Sequence, residues 1–230
     1  MPRRGLIFDI DGTLVDSNPA HVEAWEAAFT AHGYPVTRER IEREIGKGGD
    51  KLVPAILGEA AEERDGESLR ERHTEEFLAI AGRRSLRAFR RVPEIFETLR
   101  ARGVRTALAT SSAREHLEAL GRSAGLEFDS LGDELVTADD IEETKPAPDV
   151  VHAALGKLGL DPEECLMVGD TPYDAEAARK AGVGCVGVTS GGNEASVLAR
   201  AGASPVVRDI AELEERLNSI LGGAGLQGGR

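Results

Sequence analysis

Residues 6–17 read LIFDIDGTLVDS. Leu6, Ile7 and Phe8 suit the end of a buried strand, yet Asp9, Asp11 and Asp16 follow within ten residues, with Gly12 and Thr13 among them. A core strand that ends in two carboxylates one residue apart is more than a folding signal. What Asp9 and Asp11 do decides how the rest of the chain is read.

Outward from this stretch, short apolar runs alternate with helical patterns. GLIFDI, VRTALAT, ELVTADD, CLMVGD, GCVGVTS and SPVVRD are the strand candidates. Helices are expected at 93–102, 113–124, 148–158, 172–181 and 210–221. Such alternation predicts an α/β fold, a doubly wound, Rossmann-like parallel sheet with helices on both faces.

The alternation fails between Asp16 and about Arg91. Val22, Trp25, Phe29 and His32 form one stripe at spacings of three and four, and Leu69, His73, Phe77 and Ile80 another, so this region is expected to be all helical. Residues 1–16 and 92–221 then make the α/β core, 17–91 an inserted helical domain, and the Gly-rich end at 222–230 a flexible tail. Charge divides at a similar boundary. Residues 36–91 hold thirteen Lys or Arg against twelve Asp or Glu, a balance of +1, so the remainder carries −14 of the total −13.

The composition, 40% apolar and 30% charged over 230 residues, is that of a soluble globular protein. Its negative charge argues against a nucleic-acid partner, whose binding rests on Lys and Arg neutralising phosphates. An anionic small substrate is still admissible if a metal or local basic groups supply the attraction. Cys165 and Cys185 sit in apolar strand patterns without ligand spacing and read as buried small hydrophobes. No run approaches the roughly 20 apolar residues of a membrane helix. A cytoplasmic location, and a monomer or weak homodimer, are expected.

In open parallel sheets ligands bind beyond the carboxyl ends of the strands, where strand order reverses. Asp9, Thr110 and Asp170 each end a strand candidate and should meet at that edge. Asp174 follows in DTPYD, on the first turn of a helix capped by Thr171 with Pro172 at its first position. Two unit charges roughly 4 Å apart repel by about 4 kcal/mol at an effective dielectric of about 20, so four carboxylates at one site call for a cation. Carboxylate oxygens without His or Cys suit Mg²⁺. Lys145, beside Pro146, can supply a second positive charge outside any helix.

DIDGTLVDS, LATSS, KPAPD and GDTPYD, in that order on this alternating background, resemble the four motifs of the haloacid dehalogenase superfamily. The resemblance runs from Leu6 to about Val188 and places the insertion where a helical cap sits. It implies a Mg²⁺-dependent phosphatase that hydrolyses a small phosphorylated metabolite through an aspartyl-phosphate. Asp9 would be the nucleophile. Asp11 would be the general acid and then base, its backbone carbonyl also touching Mg²⁺. Thr110 and the Ser111 amide would hold phosphate oxygens, Lys145 would offset their charge, and Asp170 and Asp174 would complete the metal site.

Cap residues carry less information. DSNPAHVEAW resembles the β-phosphoglucomutase-like branch, where a histidine in the position of His21 sits near the site; Trp25 reads as core. The glycines around Lys47 in IGKGGDKLV suit a tight loop that presents Lys47 to the leaving group, the alternative being a helix–helix turn. RRSLRAFRR at 83–91 reads as a solvated helix face. A β-phosphoglucomutase-like phosphomutase is the alternative activity, against which Gly169 stands where an acid is expected. A non-catalytic phospho-ligand sensor is disfavoured by the complete motif set.

Overall fold

The structure, a computed structural model, describes residues 3–222; of the expected tail only Gly222 falls within them. Strands β1 (Gly5–Phe8), β2 (Arg105–Ala109), β3 (Glu134–Val136), β4 (Cys165–Gly169), β5 (Gly184–Val188) and β6 (Val206–Val207) pair in the order β3-β2-β1-β4-β5-β6, every pair parallel. Each of the six strand patterns in the sequence is a strand.

The period of two along each strand builds both layers. Leu6, Phe8, Leu108, Leu166, Val168 and Val186 point to one face. Ile7, Ala107, Ala109, Cys165, Met167 and Cys185 point to the other. Burying each of the larger side chains removes enough apolar surface to contribute about 1.5–3 kcal/mol.

Four helices lie between β1 and the rest of the core: α1 (Asn18–Ala31), α2 (Arg38–Glu42), α3 (Gly49–Leu57) and α4 (Glu59–Arg83). Val22, Trp25, Phe29, Ile41, Leu52 and Leu69 form a hydrophobic cluster of their own here. Phe77 and Ile80 of α4 instead join the core beneath the sheet. The chain enters and leaves this insertion side by side. Val15 bridges antiparallel to Ala88, the Asp16 amide donates to the Arg87 carbonyl at 2.9 Å, and the Phe89 amide donates to the Leu14 carbonyl at 2.9 Å. Arg91 has φ of 72°, unusual for a side chain with a Cβ, at the turn into the next helix.

The core helices are α5 (Val92–Ala101), α6 (Arg114–Ala124), α7 (Phe128–Leu131), α8 (Asp149–Leu158), α9 (Pro172–Lys180), α10 (Ala195–Ala201), α11 (Ile210–Glu215) and α12 (Leu217–Ile220). Phe96 and Leu99 of α5 and Leu213 of α11 pack on one face of the sheet, Val150 and Ala154 of α8 and Ala177 and Ala178 of α9 on the other.

Three expectations change. The helix expected over 210–221 breaks at Arg216 into α11 and α12. α7 and α10 were not foreseen. Residues 84–91 are not a helix face: α4 ends at Arg83 because the chain must extend to pair with residues 14–16. Arg83 and Arg84 reach Glu23, and Arg91 reaches Glu214, all on the surface.

Candidate active site

The sheet order turns at β1, with β2 and β3 on one side and β4 to β6 on the other, so the carboxyl end of β1 opens a crevice. Asp9 leaves β1 there, its amide still bonded to the Val168 carbonyl at 2.9 Å. Asp170 leaves β4 beside it, and Thr110 leaves β2 on the other side. Asp9, Asp170 and Asp174 lie with carboxylate oxygens within 4.8 Å of one another, all buried.

Local sequence fixes each carboxylate. Thr13 donates to Asp170 at 3.1 Å and to Asp9 at 3.3 Å. Asp174 is the third residue of α9. Thr171 Oγ1 donates to its carboxylate at 2.6 Å and accepts from its amide at 3.3 Å, a reciprocal cap with Pro172 at the first helical position. The structural role and the site role of Asp174 therefore coincide.

Lys145, 1% exposed, places Nζ between Asp9 and Asp174, bonded to the first and 2.8 Å from the second. It lies outside any helix, before Pro146, and its amide donates to Ser111 Oγ at 3.1 Å. Burial opposes its charge, but Asp174 and Asp9 outweigh that and raise its pKa. Burial pushes the Asp9 carboxyl up to about 7, with Lys145 opposing and Asp174 and Asp11 adding repulsion. Burial also raises Asp170, reinforced by Asp9 and Asp174. One cation does not neutralise three buried carboxylates.

The donor set fits a hard divalent ion. It consists of carboxylate oxygens with no His or Cys. Asn18 donates to Asp170 at 2.9 Å and to the Gly191 carbonyl at 3.1 Å, while its own Oδ1 is buried without a hydrogen-bond partner, free to accept from water on such an ion. A Cβ at Gly12 or Gly191 would come within 2.3 and 1.6 Å of Asp170 Oδ2, so those positions keep space around that carboxylate.

The Asp11 side chain turns away from this cluster toward the insertion. Ser17 Oγ donates to it at 2.6 Å, Ser112 Oγ at 2.9 Å and Thr110 Oγ1 at 3.3 Å, and His21 Nε2 lies 3.0 Å away. Burial would raise this carboxyl, but the His21 imidazole and the hydroxyls of Ser17 and Ser112 hold it well below the usual carboxylate range. Asp9 and Asp11 thus face different environments one residue apart.

His21 is stacked on Phe77 at 4.1 Å, and its Nδ1 lies 3.3 Å from His73 Nε2. His73 in turn stacks on Trp25 at 4.2 Å and meets His116 at 5.3 Å. Burial drives His73 well below its ordinary value, helped by His21 and His116, and pushes His116 down to about 4, helped by His21. Asn18, Ser112, His73 and His116 were missed in the sequence. His73 showed only as a member of the apolar stripe of α4.

The 46–50 loop docks on the core. A Cβ at Gly46, where φ is 101°, would lie 2.5 Å from Thr171, and one at Gly48 would lie 2.3 Å from Thr144. Asp50 accepts from Thr144 Oγ1, Lys51 reaches Glu143 at 2.6 Å, and Tyr173 donates to the Arg43 carbonyl at 2.6 Å. Lys47 lines the cavity between insertion and core, but its Nζ is held by Glu44 and lies over the Tyr173 ring at 4.7 Å. That cavity measures about 320 Å³ and reaches from Asp9 and Asp11 past Ser111 to Trp25 and Arg70. Among the described residues no helix is long and apolar enough to cross a membrane.

Residues 4–182 match the family model described as haloacid dehalogenase-like hydrolase. A phosphoglycolate phosphatase of Yersinia pseudotuberculosis is 32% identical over 214 residues, covering 91% of each chain. A phosphorylated carbohydrates phosphatase of Thermotoga maritima is 32% identical over 217 residues, covering 94% of this chain and 97% of that one. Among solved structures, a hydrolase from Pseudomonas syringae superposes with a TM-score of 0.88 at 32% identity, covering 95% of this chain and 99% of the other. The chain therefore belongs to the haloacid dehalogenase-like hydrolase family and is an enzyme of the phosphoric monoester hydrolase kind.

Proposed function

We propose that this enzyme is a Mg²⁺-dependent phosphatase of small phosphorylated metabolites that works through an aspartyl-phosphate on Asp9. The observation that carries the reading is the division of labour between neighbours: Asp9 sits with Lys145 in the buried carboxylate cluster, and Asp11 sits across the crevice among hydroxyls and His21.

In the first step an Asp9 carboxylate oxygen attacks phosphorus, the bond to the leaving oxygen breaks, and Asp11 supplies that oxygen with a proton. The entering phosphate favours a protonated Asp11, since a second negative charge nearby raises a carboxyl pKa. In the second step Asp11 takes a proton from water as that water attacks phosphorus and releases Asp9. Thr110 and the Ser111 amide hold phosphate oxygens, and Lys145 offsets their charge. Mg²⁺, held by the side chains of Asp9, Asp170 and Asp174 and the Asp11 carbonyl, would supply further charge neutralisation and orientation.

Residues 17–91 act as a cap hinged near Ser17 and Arg91, with the docked 46–50 loop as its closing edge and Lys47 and His21 at the leaving-group side. Gly169 supports hydrolysis over phosphomutase chemistry. A Cβ there would lie 2.4 Å from the Asp174 carboxyl carbon, which leaves no room for an acidic side chain. The two free, buried thiols of Cys165 and Cys185 suit a reducing compartment, and a cytoplasmic location is part of this reading.

The test is Asp9→Asn. Acid quenching during turnover should trap covalent phosphate on the wild-type protein and none on the variant, whose thermal shift with Mg²⁺ should persist. Turnover by the variant within about tenfold of wild type, a barrier difference of only about 1.4 kcal/mol, would remove Asp9 as nucleophile.

A further inference from the structure

The proposed reading leaves open what the phosphate is attached to, and the far wall of the cavity bears on that. This wall is made by Trp25, Lys47, Asp50, Arg70, Thr74 and His116. A substrate with a second acidic group needs an uncommitted cation here, because a carboxylate taken out of water must be paired.

Among the described residues, both cations of the wall already face carboxylates of the cap. Arg70 Nη1 lies 2.6 Å from Glu62, and Lys47 Nζ is bonded to Glu44. Lys145 is committed to Asp9 and Asp174 at the other end. Of the histidines, His73 and His116 are kept neutral by burial, and His21 is already committed to Asp11, its Nε2 3.0 Å from that carboxylate. The N-terminus of α3 would favour an anion, but its first turn carries Asp50, itself bonded to Thr144. Glu142 lines the same cavity and adds negative potential.

What the wall does offer is hydrogen-bonding capacity without net positive charge, beside an aromatic face. Thr74, His116, Asp50, Ser112 and Glu142 carry donors and acceptors, and Trp25 supplies apolar surface. We infer that the leaving group is a neutral polyhydroxylated one, so that the substrate is a sugar phosphate rather than the phosphate of a short carboxylic acid. The inference rests on the phosphatase reading of the same site. A cavity of about 320 Å³ holds one small molecule and no polymer.

The test is phosphate release in Mg²⁺ from aldopentose and aldohexose phosphates, phosphoglycolate and an aryl phosphate, with wild type and Glu62→Gln. The better sugar phosphate should exceed phosphoglycolate in kcat/KM by at least about tenfold in the wild type. Glu62→Gln, which releases the Arg70 charge into the cavity, should narrow that ratio by at least about fivefold while aryl phosphate turnover stays within about twofold. Equal or reversed preference in the wild type, with the aryl phosphate still turned over, overturns the inference and leaves the phosphatase reading standing. An unchanged ratio in Glu62→Gln overturns the charge argument on which the inference depends. No release from any of the four compounds overturns both readings.

Discussion

Replacing Gly48 by alanine tests whether the docked loop belongs to the working enzyme. Gly48 has φ of −70° and ψ of 163°, which alanine adopts without strain, so the change acts through space alone. The new Cβ would lie 2.3 Å from Thr144 Oγ1, 2.4 Å from Cγ2 and 2.5 Å from Cβ, where ordinary contact begins near 3.4 Å. The loop or Thr144 must yield by about 1 Å, and a misplacement of that size can cost about a hundredfold in rate. Thr144 immediately precedes Lys145, so both routes of relief disturb the site. The expected result is a fall in kcat/KM of about a hundredfold. Stability should fall by about 1–3 kcal/mol, the cost of forcing an extra carbon into a filled site, which lowers Tm by about 2–12 °C in a chain of this size. Steady-state kinetics with a calorimetric scan measures both. Gly82→Ala is the control, since a Cβ there meets nothing within 4 Å. It should leave activity unchanged and add about 0.5–1 kcal/mol of helix stability. Gly48→Ala with turnover within about threefold of wild type, far from the hundredfold expected, would refute the closing role. Loss of cooperative unfolding would refute the claim that the damage is local.

Thorough chelation should abolish turnover while the far-ultraviolet circular dichroism spectrum persists, because the sheet packs without the ion; Mg²⁺ should restore activity, and full activity after chelation would contradict the metal role. Excess Ca²⁺ should inhibit, since it accepts higher coordination and can engage both Asp9 oxygens. Lys145→Met should destabilise the metal-free protein by about 3–5 kcal/mol, because it leaves Asp9 and Asp174 without their buried cation. A urea midpoint close to wild type would remove that argument. His116 makes a pH prediction: its folded pKa near 4 lies below the ordinary 6.5, so the fold disfavours a proton that the unfolded chain accepts. Stability from this group is complete above about pH 6.5 and falls by about 3 kcal/mol as pH drops toward 4. His116→Gln should lack that loss, and parallel urea midpoints for variant and wild type from pH 7 to 4.5 would contradict the assignment.

The strands were legible because each is an apolar run bounded by Gly, Pro or Asp, and a sheet buried on both faces needs nothing subtler. α10 escaped notice because Leu198 is its one buried residue, leaving no stripe to detect. The break at Arg216 was hidden because the apolar spacing continues across it to Leu217 and Ile220. At the site, Asp9, Asp11, Thr110, Asp170 and Asp174 stood out because each follows a strand end or opens a helix, and parallel topology brings such positions to one edge. Lys145 stood out only through KPAPD, whose prolines keep it outside any helix. Asn18, His73 and His116 carry no comparable mark. Their place depends on how α1, α4 and α6 pack against one another, which periodicity within any one helix does not specify. Arg83 to Arg91 misled for the opposite reason, since a dense charged run resembles a solvated helix whether or not a tertiary pairing pulls the chain straight.

The side-by-side passage of residues 14–16 and 87–89 makes the insertion replaceable. Both ends leave the core as hydrogen-bonded neighbours, so the sheet experiences the intervening segment as a closed loop whose length costs little once its ends are joined. A shorter connection between Val15 and Ala88, or a foreign helical segment spliced at the same two points, leaves Asp9, Lys145, Asp170 and Asp174 on their own scaffold. Under the proposed cap reading, this junction is the place to graft one enzyme's preference onto another's chemistry, provided the graft keeps Ser17 and His21, which hold Asp11.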